Sequence, residues 1–483
     1  MRRAIAIGVT VLALLSLAGC SSYRHCMWRP GDQAVEEKPG QYTLRFIEAD
    51  DEGWFWNRDQ AEDAMNLIRT TLRESDTVVV TFVHGWHHSA ECCDDNVEGF
   101  KHTLSQLRTR LPDNFRVIGL YIGWRGRSLP GFLDYVTFWG RKGAAERVGQ
   151  NDMKEFMARL QELYVEHRPD ARRPGQFPTI PPVNGSKFLG MVTIGHSFGA
   201  QVLMKAIGGS LEDQLQLLNR HPAYLRDTQP GVPDPAQRFA VSGVGDLIVL
   251  LNPALEASQY HRIHMLANGL CYSSLQTPLI LTVSSENDMA RHKWFTAGRI
   301  AGEFFTGKPR KDNEVQRTVE RQAFGVYEGH ITHELKPADE TVRLVSDEIN
   351  GERGQCKNNG ACKAKWFKWR SPSTADLENS LVPRDPKLAD FDFSGRVVFE
   401  DVVLSPLAGK YSDKPPECRG YQPFIVARAS RHIVDNHSGI FTEPFLQFLV
   451  PYIAYIEEKS KVNVTEKVQQ RLDTEMQATK GSE

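Results

Sequence analysis

Short apolar runs rich in β-branched residues alternate along the chain with longer segments of helical periodicity, such as NVEGFKHTLSQLRTRL and AAERVGQNDMKEFMARLQELYVEH. A strand that is apolar at nearly every position is buried on both faces, as the strands of parallel sheets are. The sequence therefore predicts an α/β fold, with a mostly parallel sheet and helices on both of its faces. The predicted strands are YTLRFIEA, DTVVVTFVHGW, FRVIGLYIGW, KFLGMVTIGHS, GDLIVLLNPAL, TPLILTVSSEND and YQPFIVARAS.

The regular alternation is interrupted over residues 303–420, where charged residues, Pro and Gly dominate. We interpret this segment as a long insertion or cap before the last strand of one domain that spans residues 41–460. A last helix is predicted at TEPFLQFLVPYIAYIEE, with Thr442 as its N-cap. Residues 461–483 are predicted to form a charged carboxyl-terminal tail.

The amino terminus has the pattern of an export signal. Two arginines precede AIAIGVTVLALLSLAGC, an apolar run that is short for a permanent membrane span. Its end, LAGC, resembles the lipobox of bacterial lipoproteins. The resemblance implies a signal peptide over residues 1–19, acylation of Cys20 and a linker over residues 20–40, so that the protein is anchored in a membrane of the cell envelope. Ser21 favours the outer membrane, facing the periplasm. The alternative is an ordinary secretory signal with a chance cysteine.

Charge and cysteine content limit the partners and the compartment. The formal net charge of −2 gives no electrostatic reason to expect a nucleic acid partner. The chain has eight cysteines, and an exported protein meets an oxidising compartment in which disulfides form. Cys356 and Cys362 are close enough to close a small ring, whereas the adjacent Cys92 and Cys93 are poorly placed to bridge each other. Acylation of Cys20 would leave an odd number of thiols, so the connectivity stays open.

The segment MVTIGHSFGA contains a Gly-x-Ser-x-Gly motif at residues 195–199, between an apolar run and a helical segment. Such a motif needs a strand–turn–helix context, in which a sharp turn exposes the hydroxyl of the central residue, here Ser197. The flanking glycines remove Cβ atoms that would clash in the turn. The helix that follows directs its first amides at the site, which favours developing negative charge. The pattern predicts that Ser197 is a nucleophile.

Acyl transfer also needs two amide donors for the oxyanion of the tetrahedral intermediate. We predict that the first is the N–H of Phe198, the residue after the nucleophile. The second should come from an earlier strand-to-helix loop. In VTFVHGWHH a Gly-containing turn follows a strand, so the N–H of Trp86 is the predicted second donor.

These segments together resemble the α/β-hydrolase superfamily. FVHGW, IGLYIGWRG, GHSFGA, LLNPALEA and VSSENDMA look like the strand ends of its esterase-like members in their usual order. The resemblance covers the chain from about Asp76 to Ile456, apart from the insertion. It implies the α/β-hydrolase fold and ester chemistry by a Ser–acid–His triad in that chain order. It does not imply one substrate.

The order of the triad selects the other two members. The acid should follow a later strand, which makes Asp288 in TPLILTVSSENDMA the first choice and leaves Glu256 and Glu286 as alternatives. The base should follow the last strand. His437 lies on the loop before the last helix and is preferred to His432, which is closer to the strand. Weaker candidates within the insertion are His330 and His333.

We therefore expect a lipid-anchored serine hydrolase that cleaves a small-molecule or lipid ester through an acyl-enzyme on Ser197, with no metal and no organic cofactor. His84, His87 and His88 lie near two cysteines, but their spacing matches no standard zinc motif. One alternative is a lipase or phospholipase that acts on the membrane holding the protein. The other is a catalytically inactive α/β-hydrolase fold that serves as an envelope binding protein.

Overall fold

The computed structural model describes residues 35–91, 94–126, 138–168, 187–220, 241–272, 276–288, 295, 313–338, 394–414 and 416–480. Its strands are β1 (Val35–Lys38), β2 (Tyr42–Glu48), β3 (Asp76–Val83), β4 (Phe115–Gly123), β5 (Leu189–His196), β6 (Leu247–Leu251), β7 (Ile280–Ser285), β8 (His333–Pro337), β9 (Val397–Phe399), β10 (Val402–Pro406) and β11 (Phe424–Ala429). Its α-helices are α1 (Arg58–Thr71), α2 (Asp95–Arg110), α3 (Phe138–Val148), α4 (Asp152–His167), α5 (Phe198–Asn219), α6 (Ser258–Asn268), α7 (Glu314–Arg321) and α8 (Glu443–Lys480).

All eleven strands belong to one sheet, in the order β1-β2-β4-β3-β5-β6-β7-β11-β8-β10-β9. Every pair from β2 to β8 in this order is parallel. The antiparallel strands β1, β10 and β9 lie at the two edges. The predicted mostly parallel sheet is confirmed, and its parallel strands all end at the same edge.

The sheet is covered by helices on both faces, as predicted. Alternate residues of β3 join different apolar clusters: Val79 and Val83 face one cluster, and Val78 and Val80 face the other. Helices α1, α3, α4, α5 and α6 pack on the first face, whereas α2 and α8 pack on the second. Burial on both faces is the reason that the central strands read as continuous apolar runs.

The strand order reverses beside β3. This strand lies between β4 and β5, and the chain leaves β3 and β5 towards helices on opposite faces, α2 and α5. Such a reversal opens a crevice at the carboxyl ends of the strands, where ligands of open α/β sheets bind. The loops after β3 and β5 therefore meet where a functional site is expected.

The described part of the 303–420 insertion extends the sheet at one edge. It contains α7 and β8 to β10, and β8 pairs in parallel with β11 through His333 opposite Ala427. The short apolar runs of GRVVFEDVVL indicate β9 and β10, whereas β8 (HELKP) has no apolar run that would mark it as a strand. The other residues of the insertion lie outside the described ranges.

The segment AAERVGQNDMKEFMARLQELYVEH forms two helices, not the one long helix that its periodicity predicts. Helix α3 ends before Gly149, where an added Cβ would lie 2.7 Å from the Lys205 Cβ on α5. Helix α4 begins at Asp152, whose carboxylate accepts the Phe55 N–H at 2.7 Å. Tertiary contacts thus end α3 and begin α4, although the local periodicity alone would favour one continuous helix.

Helix α8 begins directly after Thr442 and continues to Lys480, through most of the segment predicted as a charged tail. The Thr442 hydroxyl donates a hydrogen bond to the Ile433 carbonyl (2.5 Å), and its carbonyl accepts the Leu446 N–H (3.0 Å). Within the described ranges, the structure has no helix whose length and apolarity would suit a membrane crossing. The predicted signal peptide and Cys20 lie outside those ranges.

A disulfide joins Cys271, just after α6, to Cys418 in a short 3-10 helix that precedes β11. The two Cα atoms are 4.8 Å apart. Disulfides are typical of proteins in oxidising compartments, so the bridge suggests an extracytoplasmic location. Cys356 and Cys362, which are close enough in the sequence to close a small ring, lie outside the described residues.

Candidate active site

Ser197 occupies the turn between β5 and α5. Its backbone angles, φ 55° and ψ −118°, lie where a serine is found only under strain. Hydrogen bonds hold the turn: the Ser197 N–H donates to the Leu251 carbonyl (2.9 Å), and the Ser197 carbonyl accepts the Ala254 N–H (3.1 Å). The sharp strand-to-helix turn that the motif predicts is therefore present.

The two glycines of the motif permit close backbone approach. A Cβ on Gly195 would lie 2.8 Å from the backbone of Ala200, in the first turn of α5. A Cβ on Gly199 would overlap the Val83 carbonyl oxygen at the end of β3. Larger residues at either position would push α5 away from the strands that carry the turn.

The side chains of Ser197, Asp288 and His437 form a continuous chain of hydrogen bonds. His437 Nε2 lies 2.8 Å from Ser197 Oγ, and His437 Nδ1 lies 2.6 Å from Asp288 Oδ2. Because the carboxylate accepts the Nδ1 proton, a neutral imidazole presents an unprotonated Nε2 to the hydroxyl. Asp288 is fully buried, whereas the His437 side chain is 25% exposed. The three residues chosen from the sequence thus meet beyond the carboxyl ends of β5, β7 and β11.

The alternative acids and the alternative loop histidine have other surroundings. The Glu256 carboxylate pairs with Lys142 Nζ at 3.1 Å. Glu286 is exposed, and its side chain accepts the backbone N–H of Arg431 at 2.9 Å. His432 is exposed. Within the described contacts, only Asp288 supplies a carboxylate to His437.

The two histidines of the insertion lie in separate groups of contacts. His330 is buried, and its Nε2 lies 3.0 Å from His261 Nδ1 on α6. His333 is also buried, and its Nε2–H donates to the Ser394 carbonyl at 2.7 Å. Both rings are therefore engaged away from the Ser197–His437–Asp288 chain.

The predicted oxyanion donors lie on two segments that flank the nucleophile. Phe198 is the first residue of α5, so its N–H belongs to the amino-terminal amides that have no partner within a helix. Trp86 follows the turn after β3, where a Cβ on Gly85 would lie only 2.7 Å from the Ser197 Cβ. These positions suit two amide donors that converge near Ser197. Their role as an oxyanion hole stays a prediction.

His84 anchors the turn that precedes Trp86. Its Nδ1–H donates to the Gly85 carbonyl (2.9 Å), and its Nε2 accepts the Trp124 N–H (3.0 Å). The His84 ring also stacks on the Trp124 ring, with centroids 5.5 Å apart. Burial lowers the pKa of His84 to about 4, so the imidazole is neutral at pH 7 and suits one donated and one accepted bond.

His87 and His88, the neighbouring histidines, also make contacts within the protein that account for their positions. His88 Nδ1 lies 3.0 Å from Asp94 Oδ1, and Asp94 is the N-cap of α2. The His87 ring stacks on the indole of the preceding residue, with centroids 3.8 Å apart. Across the part of the chain that the structure describes, no group of His, Cys, Asp and Glu side chains is arranged to hold a metal ion. Cys92 and Cys93 lie outside that part.

Five aromatic side chains form an apolar wall beside the nucleophile, which we call the aromatic wall: Trp86, Phe138, Trp139, Phe198 and Phe295. The Phe138 ring centroid lies 5.0 Å from that of Phe198 and 5.2 Å from that of Trp86. The Phe295 ring lies 6.5 Å from both Phe138 and Trp139. Trp139 is 42% exposed, so the wall runs from the protein surface to the residue next to Ser197.

Sequence reasoning missed Asn252, which is fully buried at the end of β6. Its φ of 44° lies in the left-handed region, where Asn is more common than most residues. Its side-chain amide donates to the carbonyls of Asn436 (3.1 Å) and His437 (2.9 Å). The Asn-Pro pair directly after a buried strand is the signal that marks this position as a turn.

Comparison of the chain with protein-family models, with curated proteins and with solved structures gives no match.

Proposed function

We propose that the protein is a serine hydrolase of the α/β-hydrolase type that cleaves a carboxylic ester through an acyl-enzyme on Ser197. The observation that carries the proposal is the hydrogen-bonded chain from Ser197 Oγ through His437 to Asp288. A serine hydroxyl is a weak nucleophile until a base takes its proton, and this chain supplies an oriented base. The sharp turn and the strand order around it are further support.

In the first half of the reaction, Ser197 Oγ attacks the carbonyl carbon of the ester while its proton moves to His437 Nε2. The carbonyl π bond opens, and the oxygen takes the negative charge. The intermediate then collapses: the carbonyl re-forms, the bond to the alkoxy group breaks, and His437 gives its proton to the departing alcohol. Ser197 is left as an acyl ester.

In the second half, His437 takes a proton from water as the water oxygen attacks the acyl carbon. The new tetrahedral intermediate expels Ser197 Oγ, which recovers the proton from His437, and the carboxylic acid leaves. Asp288 stays ionised throughout and stabilises the imidazolium that forms in each half. The N–H groups of Phe198 and Trp86 are proposed to bind the oxyanion, each contributing about 3 kcal/mol.

The aromatic wall favours an ester with an apolar acyl or alcohol part. Trp139 is the exposed end of the wall, whereas Phe198 is fully buried, so the apolar part of a substrate would meet the wall at Trp139. A lipase or phospholipase acting at the membrane is the second candidate, supported by the same wall and by the predicted lipid anchor at Cys20. The anchor would hold the catalytic domain in the cell envelope.

A fluorophosphonate probe tests the proposed activity directly, because it phosphonylates only an activated serine. We expect the full-length protein to be labelled and Ser197→Ala to be unlabelled. Ser438→Ala, which removes an exposed serine next to His437, is the matched control and should label like the parent. Absence of labelling in the parent protein would favour the binding-protein alternative. Rates on short-chain and long-chain nitrophenyl esters then distinguish an esterase from a lipase.

A further inference from the structure

The main-chain carbonyl of His437 accepts hydrogen bonds from two buried side chains. Asn252 Nδ2 donates to it at 2.9 Å from the end of β6. His196 Nε2 donates to it at 2.9 Å from the end of β5. Both side chains are at least 99% buried, so neither bond competes with water. The loop that carries His437 is thus held by its backbone carbonyl, and these bonds leave the imidazole nitrogens to Ser197 Oγ and Asp288.

Asn252 also reaches the loop that carries the acid. Its Oδ1 accepts the Ser285 N–H at 2.9 Å, three residues before Asp288. The Ser285 hydroxyl in turn donates to the Val434 carbonyl at 2.7 Å, three residues before His437. One buried side chain therefore joins the ends of β6 and β7 to the loop after β11, and it sets the spacing between the acid and the base.

His196 makes the corresponding connection to the nucleophile. It precedes Ser197 directly, and its ring centroid lies 5.3 Å from that of His437. Because a carbonyl oxygen only accepts, His196 carries its proton on Nε2. Burial lowers the pKa of His196 well below its ordinary value, so the ring stays a neutral donor. Its Nδ1 lies 3.4 Å from the Asn96 Oδ1, a longer contact than the 2.9 Å bond at Nε2, which decides the tautomer.

We propose that Asn252 and His196 are positioning residues that fix the orientation of the His437 imidazole by holding its main-chain carbonyl. The proposal rests on the proposed hydrolase function, since it concerns the alignment of the same base. The His437 loop lies outside any helix or strand, so its backbone has no regular hydrogen-bond ladder to hold it. Misplacement of a catalytic group by about 1 Å can reduce turnover about 100-fold. Neither residue belongs to the aromatic wall, so their loss should lower kcat and leave KM unchanged.

Asn252→Gly is the sharpest test of the first donor. Glycine accepts the left-handed φ without strain, so this variant removes the amide and relaxes the backbone at once. We expect kcat for a nitrophenyl ester and the rate of fluorophosphonate labelling to fall about 10- to 100-fold, up to the loss that a misplacement of about 1 Å causes. The thermal unfolding midpoint, measured in parallel, shows that the variant is folded.

His196→Leu tests the second donor, and His196→Gln tests whether the bond itself matters. Glutamine can place an amide N–H near the former Nε2, so it should recover most of the activity that leucine loses. His333→Leu is the matched control, because His333 is also buried and also donates Nε2–H to a carbonyl, that of Ser394. That variant should lower the unfolding midpoint and leave kcat as in the parent.

Parental kcat in both Asn252→Gly and His196→Leu would overturn the proposal, as would a rise in KM with unchanged kcat. If Asn252→Gly does not fold, the pair of His196 variants decides alone: equal activity of the leucine and glutamine variants rejects positioning through the bond. Failure of the probe to label the parent protein is a different result. It rejects the hydrolase function itself, and the positioning role with it.

Discussion

In the proposed mechanism, the position of the proton on His437 decides whether Ser197 can be activated. Asp288 Oδ2 accepts the Nδ1 proton at 2.6 Å, and this contact keeps Nε2 available as the base. In Asp288→Asn, the side-chain NH₂ can turn towards Nδ1 and favour the tautomer that is protonated at Nε2. We expect kcat for ester hydrolysis to fall about 10⁴-fold with the fold intact. Steady-state rates and circular dichroism measure the two effects.

The control for that substitution lies two residues earlier. Glu286 is exposed, and a glutamine in its place keeps the oxygen that accepts the Arg431 N–H. Glu286→Gln should therefore hydrolyse the ester at the parental rate. Parental activity in Asp288→Asn, or an equal loss in both variants, would contradict the assignment of Asp288 as the acid.

For individual residues, the sequence predicts those that directly follow a strand. It misses residues such as Asn252, whose role depends on contacts with parts of the chain that are distant in sequence. Ser197, Asp288 and His437 each follow an apolar run in the expected order, so chain position makes them the first choices, although it leaves Glu256, Glu286 and His432 as alternatives. Asn252 acts through carbonyls that are 184 and 185 residues away in the chain. No local pattern encodes such a contact, because it exists only when separate strand ends come together.

Among the elements, burial decides which ones can be predicted. The central strands are apolar because they are covered on both faces, and they stand out in the sequence. Strands β9 and β10 are short, but the apolar runs of GRVVFEDVVL indicate them, whereas β8 carries charged residues and patterning does not separate it from a loop. The break between α3 and α4 depends on the contact of Gly149 with α5, which periodicity does not report.

The disulfide stabilises the connection between two elements on the sheet. Cys271 follows α6, and Cys418 precedes β11, at a sequence separation of 147. Closing so long a loop restricts the unfolded chain, so Cys271→Ser with Cys418→Ser should lower the free energy of unfolding by about 2–4 kcal/mol. Cys418 precedes the amino end of β11, whereas His437 follows its carboxyl end, so kcat at 25 °C should stay parental. Denaturant unfolding and ester hydrolysis test both statements.

A reductant provides the control for this double variant. It should shift the unfolding midpoint of the parent protein to that of the double variant, and it should have no effect on the double variant itself. An unchanged parental midpoint under full reduction would contradict a stabilising role for the bridge.

Across the whole molecule, polar groups are buried at both ends of the sheet. The proposed triad lies at the carboxyl ends of the strands, whereas a second group lies near the amino ends of β5 and β6. There Asp246 accepts hydrogen bonds from Arg168 (2.7 Å), the Tyr164 hydroxyl (2.7 Å) and the Met191 N–H (2.9 Å). Glu457 of α8 is fully buried beside this group. Arg168 is paired with Asp246, and its charge also acts on the neighbouring Glu457.

Ionisation of both carboxyl groups would cost free energy, because two buried negative charges would lie close together. Burial, and then the charge of Asp246, raise the pKa of Glu457 well above its ordinary value, although Arg168 opposes the shift. Above pH 4.5 the unfolded chain therefore releases a proton that the folded protein keeps on Glu457. Since the folded state then binds more protons, the free energy of unfolding falls as pH rises towards the folded-state pKa, by up to about 1.4 kcal/mol per pH unit from this group.

Glu457→Gln should remove this dependence, because an amide keeps the shape of the protonated acid and does not ionise. We expect the variant to gain stability relative to the parent as pH rises above 4.5, with a difference that grows until Glu457 ionises in the folded protein. Denaturant unfolding at a series of pH values measures it. Glu458→Gln is the control: its carboxyl is only half-buried, its pKa is raised by burial alone, and its effect should be smaller. A Glu457→Gln curve parallel to the parental one would mean that Glu457 is already ionised in the folded protein, so that Arg168 neutralises both carboxylates.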